Sequence, residues 1–186
     1  MNKEENRAKR ALVIVDHPSF DSSVINRRWV DELRKYPDEI LVHNLQSSYP
    51  SGTIDAVMEH SLIDNADTIV FQFPMYWYFC PPRTKLWFDT VLTRDWAFGK
   101  NFKLENKNIG IAITCGSEES AYSQEGRHHM PARNYLLPIE HAFEMCHTSI
   151  KGVYAFYGAA NKDIATVENI AKSASGYVEF IRNLKA

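Results

Sequence analysis

Residues Asp67–Asp89 read DTIVFQFPMYWYFCPPRTKLWFD, and the order of residue types in this stretch decides the fold. Asp67–Phe73 is rich in β-branched and aromatic residues, the composition of a strand buried on both faces. Pro81 and Pro82 fall where a helix begins, since the first helical turn does not need the N–H that proline lacks. TKLWFDTVL continues as that helix. The connection between strand and helix is crowded: from Phe73 to Asp89, seventeen residues include two Tyr, two Trp, three Phe and three Pro. A loop that only joins two elements does not need these rings, but a loop that receives a flat, apolar ligand does. The plainer alternative is that Trp77, Tyr78 and Phe79 pack beneath the sheet edge as core. Trp87 and Phe88 lie within the helix and read as packing or interface.

The same alternation extends outward in both directions. RALVIV (Arg10–Val15) reads as a first buried strand, and Val24, Ile25, Trp29, Val30 and Leu33 then repeat at helical spacing. DEILVHNL is a second strand, and SGTIDAVMEHSLIDNA a helix with Thr53 as its candidate cap. NKNIGIAITCG (Asn106–Gly116) is a fourth strand. MPARNYLLPIEHAFEMC is helical, with Pro138 expected to kink or break it. SIKGVYAFYG is a fifth strand, and NKDIATVENIAKSASGYVEFIRNL closes the series as a helix. Five strands alternating with five helices predict one doubly wound α/β domain over 1–186, a five-stranded parallel sheet in the order 2-1-3-4-5. Ligands of such sheets bind at the carboxyl ends of the strands. That singles out three loops: DHPSFDSSVIN, FPMYWYFCPP and TCGSEESAY.

The chain has 186 residues, 45% hydrophobic, enough for a full core without disulfides or a structural metal. Its 21 basic and 23 acidic residues give a net charge of -2, which removes the broad basic field of a nucleic-acid binder. The three cysteines, Cys80, Cys115 and Cys146, form no C-x-x-C pair and read as reduced thiols. MNKEENRAKR offers no signal-peptide core, and no window approaches the roughly 18 apolar residues of a membrane span. The expected compartment is the cytoplasm.

Each loop has a functional and a plain reading. In Asp16–Asn26, the helix N-terminus with His17, Ser22, Ser23 and Asn26 suits a phosphate; the plain reading is an N-cap by Asp21, Ser22 or Ser23. G-x-G-x-x-G and G-K-[ST] are both absent. In Thr114–Tyr122, small residues let a ligand edge approach the backbone. Cys115 reads as a small loop residue rather than a nucleophile, because no base is paired with it. Tyr122, His128 and His129 have no metal-ligand spacing, nor do His141 and His147, so no metal is assigned.

Taken in order, these loops resemble the flavodoxin-like NAD(P)H:quinone oxidoreductases, including the modulator-of-drug-activity type and the ancillary oxidoreductases of glutathione-gated potassium efflux systems. The resemblance runs from about Ala11 to Leu184. FPMYWYFCPPRTKLWFDTVLTRDWAFG is its most specific part, with the HP…SS.IN loop before it and TCGS, Tyr122, His128 and LLPIEHAFEMC after it. It implies a bound flavin, FMN first and FAD second. His17, Ser23, Ile25 and Asn26 would hold the phosphate. Pro74, Met75, Tyr76, Trp77 and Tyr78 would lie along the ring edge. Thr114, Cys115, Gly116 and Ser117 would meet the pyrimidine end, and Tyr122 and His128 would stand near O2 as the catalytic pair. It further implies NAD(P)H as co-substrate, a quinone, nitro or azo aromatic acceptor, ping-pong kinetics and a homodimer. A regulatory subunit that contacts a potassium-efflux transporter is the alternative. A one-electron carrier fits less well, since such carriers are far more acidic. Cys115 and Ser117 depart from the T-T-G-G pattern of the resembled loop.

Overall fold

The computed structural model describes residues 10–185, so the N-terminal residues read above for a signal peptide lie, apart from Arg10, outside it. Five strands form one parallel sheet: β1 Ala11–Val15, β2 Ile40–Asn44, β3 Thr68–Pro74, β4 Asn108–Thr114 and β5 Ile150–Phe156. Their order is β2-β1-β3-β4-β5, as the alternation predicts. The helices are α1 Ile25–Leu33, α2 Leu45–Ser48, α3 Ala56–Asp64, α4 Pro82–Val91, α5 Leu137–Met145 and α6 Val167–Lys185.

Strand periodicity divides the core into two layers. Leu12 and Ile14, Ile69, Phe71 and Phe73, and Ile109, Ile111 and Ile113 face one layer, which α3, α4 and α5 cover with Ile63, Trp87, Phe88, Val91, Ile139 and Phe143. Ala11, Val13, Val15, Val70 and Ala112 face the other, covered by Trp29, Val30 and Leu33 of α1 and by Ile170, Ala174, Tyr177 and Ile181 of α6. The sheet must leave room for α6: a Cβ on Gly110 would stand 2.4 Å from Leu184 Cδ1, and one on Gly152 2.9 Å from Phe180 Cε2. Burial of both faces is what the unbroken apolar runs of the sequence require.

Two local expectations are corrected and a third is met. Asp55, not Thr53, caps α3, its carboxylate accepting from the N–H groups of Val57 and Met58. The stretch around Pro138 is broken rather than kinked, as one of the two expected outcomes: Ala132–Leu136 forms a separate 3-10 turn, and Pro138 lies in the first turn of α5. The last helix begins at Val167, after a loop held by Asn161.

A buried polar cluster ties α3 and α4 to β2. Glu59 has no exposed surface. Its carboxylate accepts from His43 Nε2 at 2.6 Å, from the Tyr49 hydroxyl at 2.6 Å and from Trp87 Nε1 at 2.7 Å. Burial alone would raise this carboxyl, but the three donors, His43 first, hold it below the usual carboxylate range.

Candidate functional site

The aromatic loop leaves the sheet at Pro74 and turns within four residues. Tyr76 and Phe79 exchange N–H···O bonds of 2.8 and 3.1 Å, closing a two-residue turn over Trp77 and Tyr78. Both central residues are left-handed, with φ of 50° and 63°. That is the pattern of a type I′ turn, normally Asn-Gly. A bulky side chain in this region is an outlier, at about 1–2 kcal/mol per residue. The strain aims the rings outward: Trp77 is 85% exposed, and Tyr76 and Tyr78 are about half exposed. Of the four rings Tyr76–Phe79, Phe79 alone packs against the core, with Met75 and Cys80 on either side of the turn. Of the two readings of this loop, packing beneath the sheet edge therefore fails for Trp77 and Tyr78.

The start of α4 fixes the far end of the loop. Pro81 stands at the N-cap and supplies no capping side chain. Asp16, at the end of β1, takes that role from across the sheet, its Oδ2 accepting from the Thr84 N–H and hydroxyl, both at 2.8 Å. Burial raises the Asp16 carboxyl, and the two Thr84 bonds oppose the shift.

The loop after β4 faces the aromatic turn. Met75 N–H donates to the Thr114 carbonyl at 2.9 Å, which sets the two loops side by side. The Gly116 and Ser117 carbonyls accept from Ala160 and Gly158, and no backbone acceptor among the described residues takes the Gly116 or Ser117 N–H. Between the loops lies a cleft of about 830 Å³. Met75, Trp77 and Tyr78 wall one side, Gly116, Ser117 and Tyr122 the other, with Arg127 and His128 at the rim. His128 Nε2 is 2.8 Å from Ser117 Oγ, and its Nδ1 is 3.3 Å from the Tyr78 hydroxyl. The Tyr122 and His128 rings lie 4.4 Å apart, centre to centre. Burial holds the Tyr122 phenol well above its ordinary range. Burial, with Arg127 and His129 nearby, holds His128 below its ordinary value, so the imidazole is neutral at pH 7.

Of the residues picked out from the sequence, Met75, Trp77, Tyr78, Gly116, Ser117, Tyr122 and His128 line this cleft. Pro74, Tyr76 and Thr114 border it as scaffold. Thr114 Oγ1 accepts from Asn26 Nδ2 at 3.0 Å, so the Asn26 side chain points into the protein and joins the first loop to the third. Ser23 and Ile25 are buried at the start of α1, and His17 Nδ1 accepts from the Ser19 N–H. At this loop the α1 N-terminus therefore offers backbone N–H groups rather than these side chains. Cys115 is fully buried, its N–H bonded to the Phe156 carbonyl and its own carbonyl to the Ala159 N–H. Burial pushes its thiol up to about 12, which agrees with the reading of this cysteine as a small structural residue.

Three contributors escaped the sequence reading: Asp16, Arg127, and Ala160 with Asn161 from the loop after β5. The last was legible, because strand-end logic applies to the fifth strand as well. Among the described residues no group of three or more His, Cys, Asp or Glu side chains is placed to hold a metal ion. No helix among them is long and apolar enough to cross a membrane.

A doubly wound sheet with its cleft at the strand ends between the β3 and β4 loops defines a flavodoxin-type ligand-binding protein. The chain belongs to the flavodoxin-like fold family, whose model matches residues 9–181. It is 34% identical over 171 residues to the uncharacterized NAD(P)H oxidoreductase YrkL of Bacillus subtilis (strain 168), covering 91% of this chain and 98% of the relative. It is 32% identical to the glutathione-regulated potassium-efflux system ancillary protein KefG of Erwinia tasmaniensis, with 91% and 92% covered. The crystal structure of general stress protein 14 from Treponema denticola in complex with FMN superposes with a TM-score of 0.89 at 31% identity, covering 94% of this chain and 99% of that one.

Proposed function

We propose that this protein is an FMN-dependent NAD(P)H oxidoreductase that reduces quinones or related flat acceptors in a ping-pong cycle. The observation that carries the reading is the strained turn that presents Trp77 and Tyr78 to the free N–H groups of Gly116 and Ser117 across the cleft. Backbone strain of this kind persists where function needs it. The FMN complex of a similar protein supports the cofactor, and the oxidoreductase name of a relative supports the co-substrate.

The residues fit a flavin. Exposed rings and apolar Met75 suit a planar ring system, and two unclaimed N–H groups suit an oxygen that gains negative charge. The N–H groups of the first α1 turn suit the phosphate, in the loop of His17, Ser23, Ile25 and Asn26. Bound there, FMN would supply the hydride chemistry between NAD(P)H and the acceptor. The chain's own task is orientation and charge. Trp77 and Tyr78 hold flat molecules parallel in the cleft. Gly116 and Ser117 donate to a developing oxyanion, and Tyr122 and His128 hold protons beside it.

Stopped-flow reduction by NADPH tests this. Tyr122→Phe and His128→Ala are expected to keep FMN and slow its reduction by on the order of 10²-fold. An unchanged rate in both overturns their assignment. The relative named as a potassium-efflux ancillary protein favours a second role, contact with a membrane transporter. Quinone turnover without any transporter association would leave the enzymatic role alone. A cytoplasmic homodimer is part of the same proposal, and sedimentation at micromolar concentration tests the assembly.

A further inference from the structure

The loop between β1 and α1 contains one peptide unit that an anion should avoid. His17 is followed by Pro18, so the unit between them has a carbonyl and no N–H. Its one polar group repels negative charge. Several donors of the loop are already engaged. The Ser19 N–H goes to His17 Nδ1 at 3.0 Å, the Ser22 N–H to the Ser19 carbonyl and the Ser23 N–H to the Phe20 carbonyl. No backbone acceptor among the described residues takes the N–H of Val24, Ile25 or Asn26, so these remain for a phosphate. The His17 carbonyl is claimed from elsewhere in the fold. Gln46 Nε2 donates to it at 2.8 Å, across 29 residues of sequence. A carbonyl only accepts, so the Gln46 atom that faces it is the amide nitrogen.

Gln46 stands on a rigid mount. Asn44, at the end of β2, caps the short α2: its Oδ1 accepts the Gln46 N–H at 2.9 Å and the Ser47 N–H at 3.3 Å. Leu45 is fully buried. Arg83, in the first turn of α4, donates to the Leu45 carbonyl at 3.1 Å and to the Tyr49 carbonyl. The Tyr49 hydroxyl donates in turn to buried Glu59. The mount of Gln46 thus reaches α4 and the polar cluster beneath it, while no residue of α2 lines the aromatic cleft. We propose that Gln46 is a positioning residue for the FMN phosphate. It ties the His17 carbonyl to α2, so that the loop offers the anion the N–H groups of Val24, Ile25 and Asn26 without a competing carbonyl. The inference rests on the FMN reading above and deepens its phosphate site. Released from Gln46, the His17–Pro18 unit is free to turn its carbonyl toward the anion, and it has no N–H with which to compensate.

The test titrates the flavin-free protein with FMN and with riboflavin, which has the same ring and no phosphate. Gln46→Met keeps the bulk and removes the donor; Gln46→Glu sets a carboxylate against the His17 carbonyl. Gln46→Met is expected to weaken FMN on the order of 10-fold and Gln46→Glu to weaken it further, with riboflavin affinity and melting temperature unchanged. A residue that merely supports the fold would lower the melt and weaken both flavins alike. Inorganic phosphate reads the same effect without a flavin: the Ile25 and Asn26 amide resonances of the 15N-labelled protein should shift and saturate, with on the order of 10-fold more phosphate needed in Gln46→Met. Equal weakening of FMN and riboflavin, or FMN affinity unchanged in both variants, overturns the positioning role. The two readings fail separately. A wild type that binds neither flavin removes the oxidoreductase reading, and the phosphate titration then decides Gln46 alone: amide shifts that are absent in the wild type, or the same in Gln46→Met, overturn it.

Discussion

Trp77→Asn separates the two things the aromatic turn does. In the structure Trp77 adopts φ 50° and is 85% exposed. Asparagine enters the left-handed region far more easily than a bulky ring, so relieving this one residue is worth about 1 kcal/mol. With so little of the indole buried, the substitution removes almost no packing to offset that gain. For a domain of this size about 1 kcal/mol raises the melting temperature by roughly 2–4 °C. Affinity for FMN should move the other way. One lost aromatic contact, at about 0.5–1.5 kcal/mol, weakens binding roughly 2- to 12-fold. The assay is a thermal melt of the flavin-free protein beside an FMN fluorescence titration. A variant that melts lower than wild type would refute the strain argument, and a variant that melts higher with unchanged FMN affinity would refute the ring's role in the cleft.

Other substitutions test the scaffold. Glu59→Gln leaves the donor set of His43, Tyr49 and Trp87 one acceptor short in a fully buried site, and should cost about 3 kcal/mol in urea unfolding at pH 7. Because the folded Glu59 carboxyl lies below its unfolded value, its contribution is complete above the unfolded value and fades as pH falls through the folded one. The deficit of the variant should therefore shrink in acid, and a deficit independent of pH would contradict the assignment. Asp16→Ala removes the cap of α4 and should cost about 1–2 kcal/mol, whereas Asp16→Asn, which keeps an acceptor for Thr84, should cost less; equal losses would argue against capping. Cys80 and Cys115, their thiols pushed up to about 12 by burial, should react with a thiol reagent at pH 8 only after unfolding, and fast labelling of the native protein would contradict their placement.

The sheet was legible because both of its faces are buried, so strands appear as unbroken apolar runs separated by helical periods. The aromatic loop was legible as an anomaly of composition, but not its geometry. Nothing in Tyr76–Phe79 resembles the Asn-Gly of a two-residue turn, since the turn is held against local propensity. Asp16 was illegible for a related reason: its capping bond to Thr84 spans 68 residues, and only the folded sheet brings the two together. The inward turn of Asn26 toward Thr114, 88 residues away, has the same origin. Cys115 illustrates the limit of a motif. Its place in a ligand loop suggested a contact, while strand alternation sends its side chain into the core.

The visible absorbance spectrum of the purified protein, followed by release and chromatographic identification of the cofactor, tests whether the cleft holds FMN for hydride transfer. A flavin spectrum is expected, with FMN in the released fraction and bleaching on addition of NAD(P)H that recovers on addition of a quinone. A colourless protein that cannot be reconstituted with FMN or FAD would contradict it.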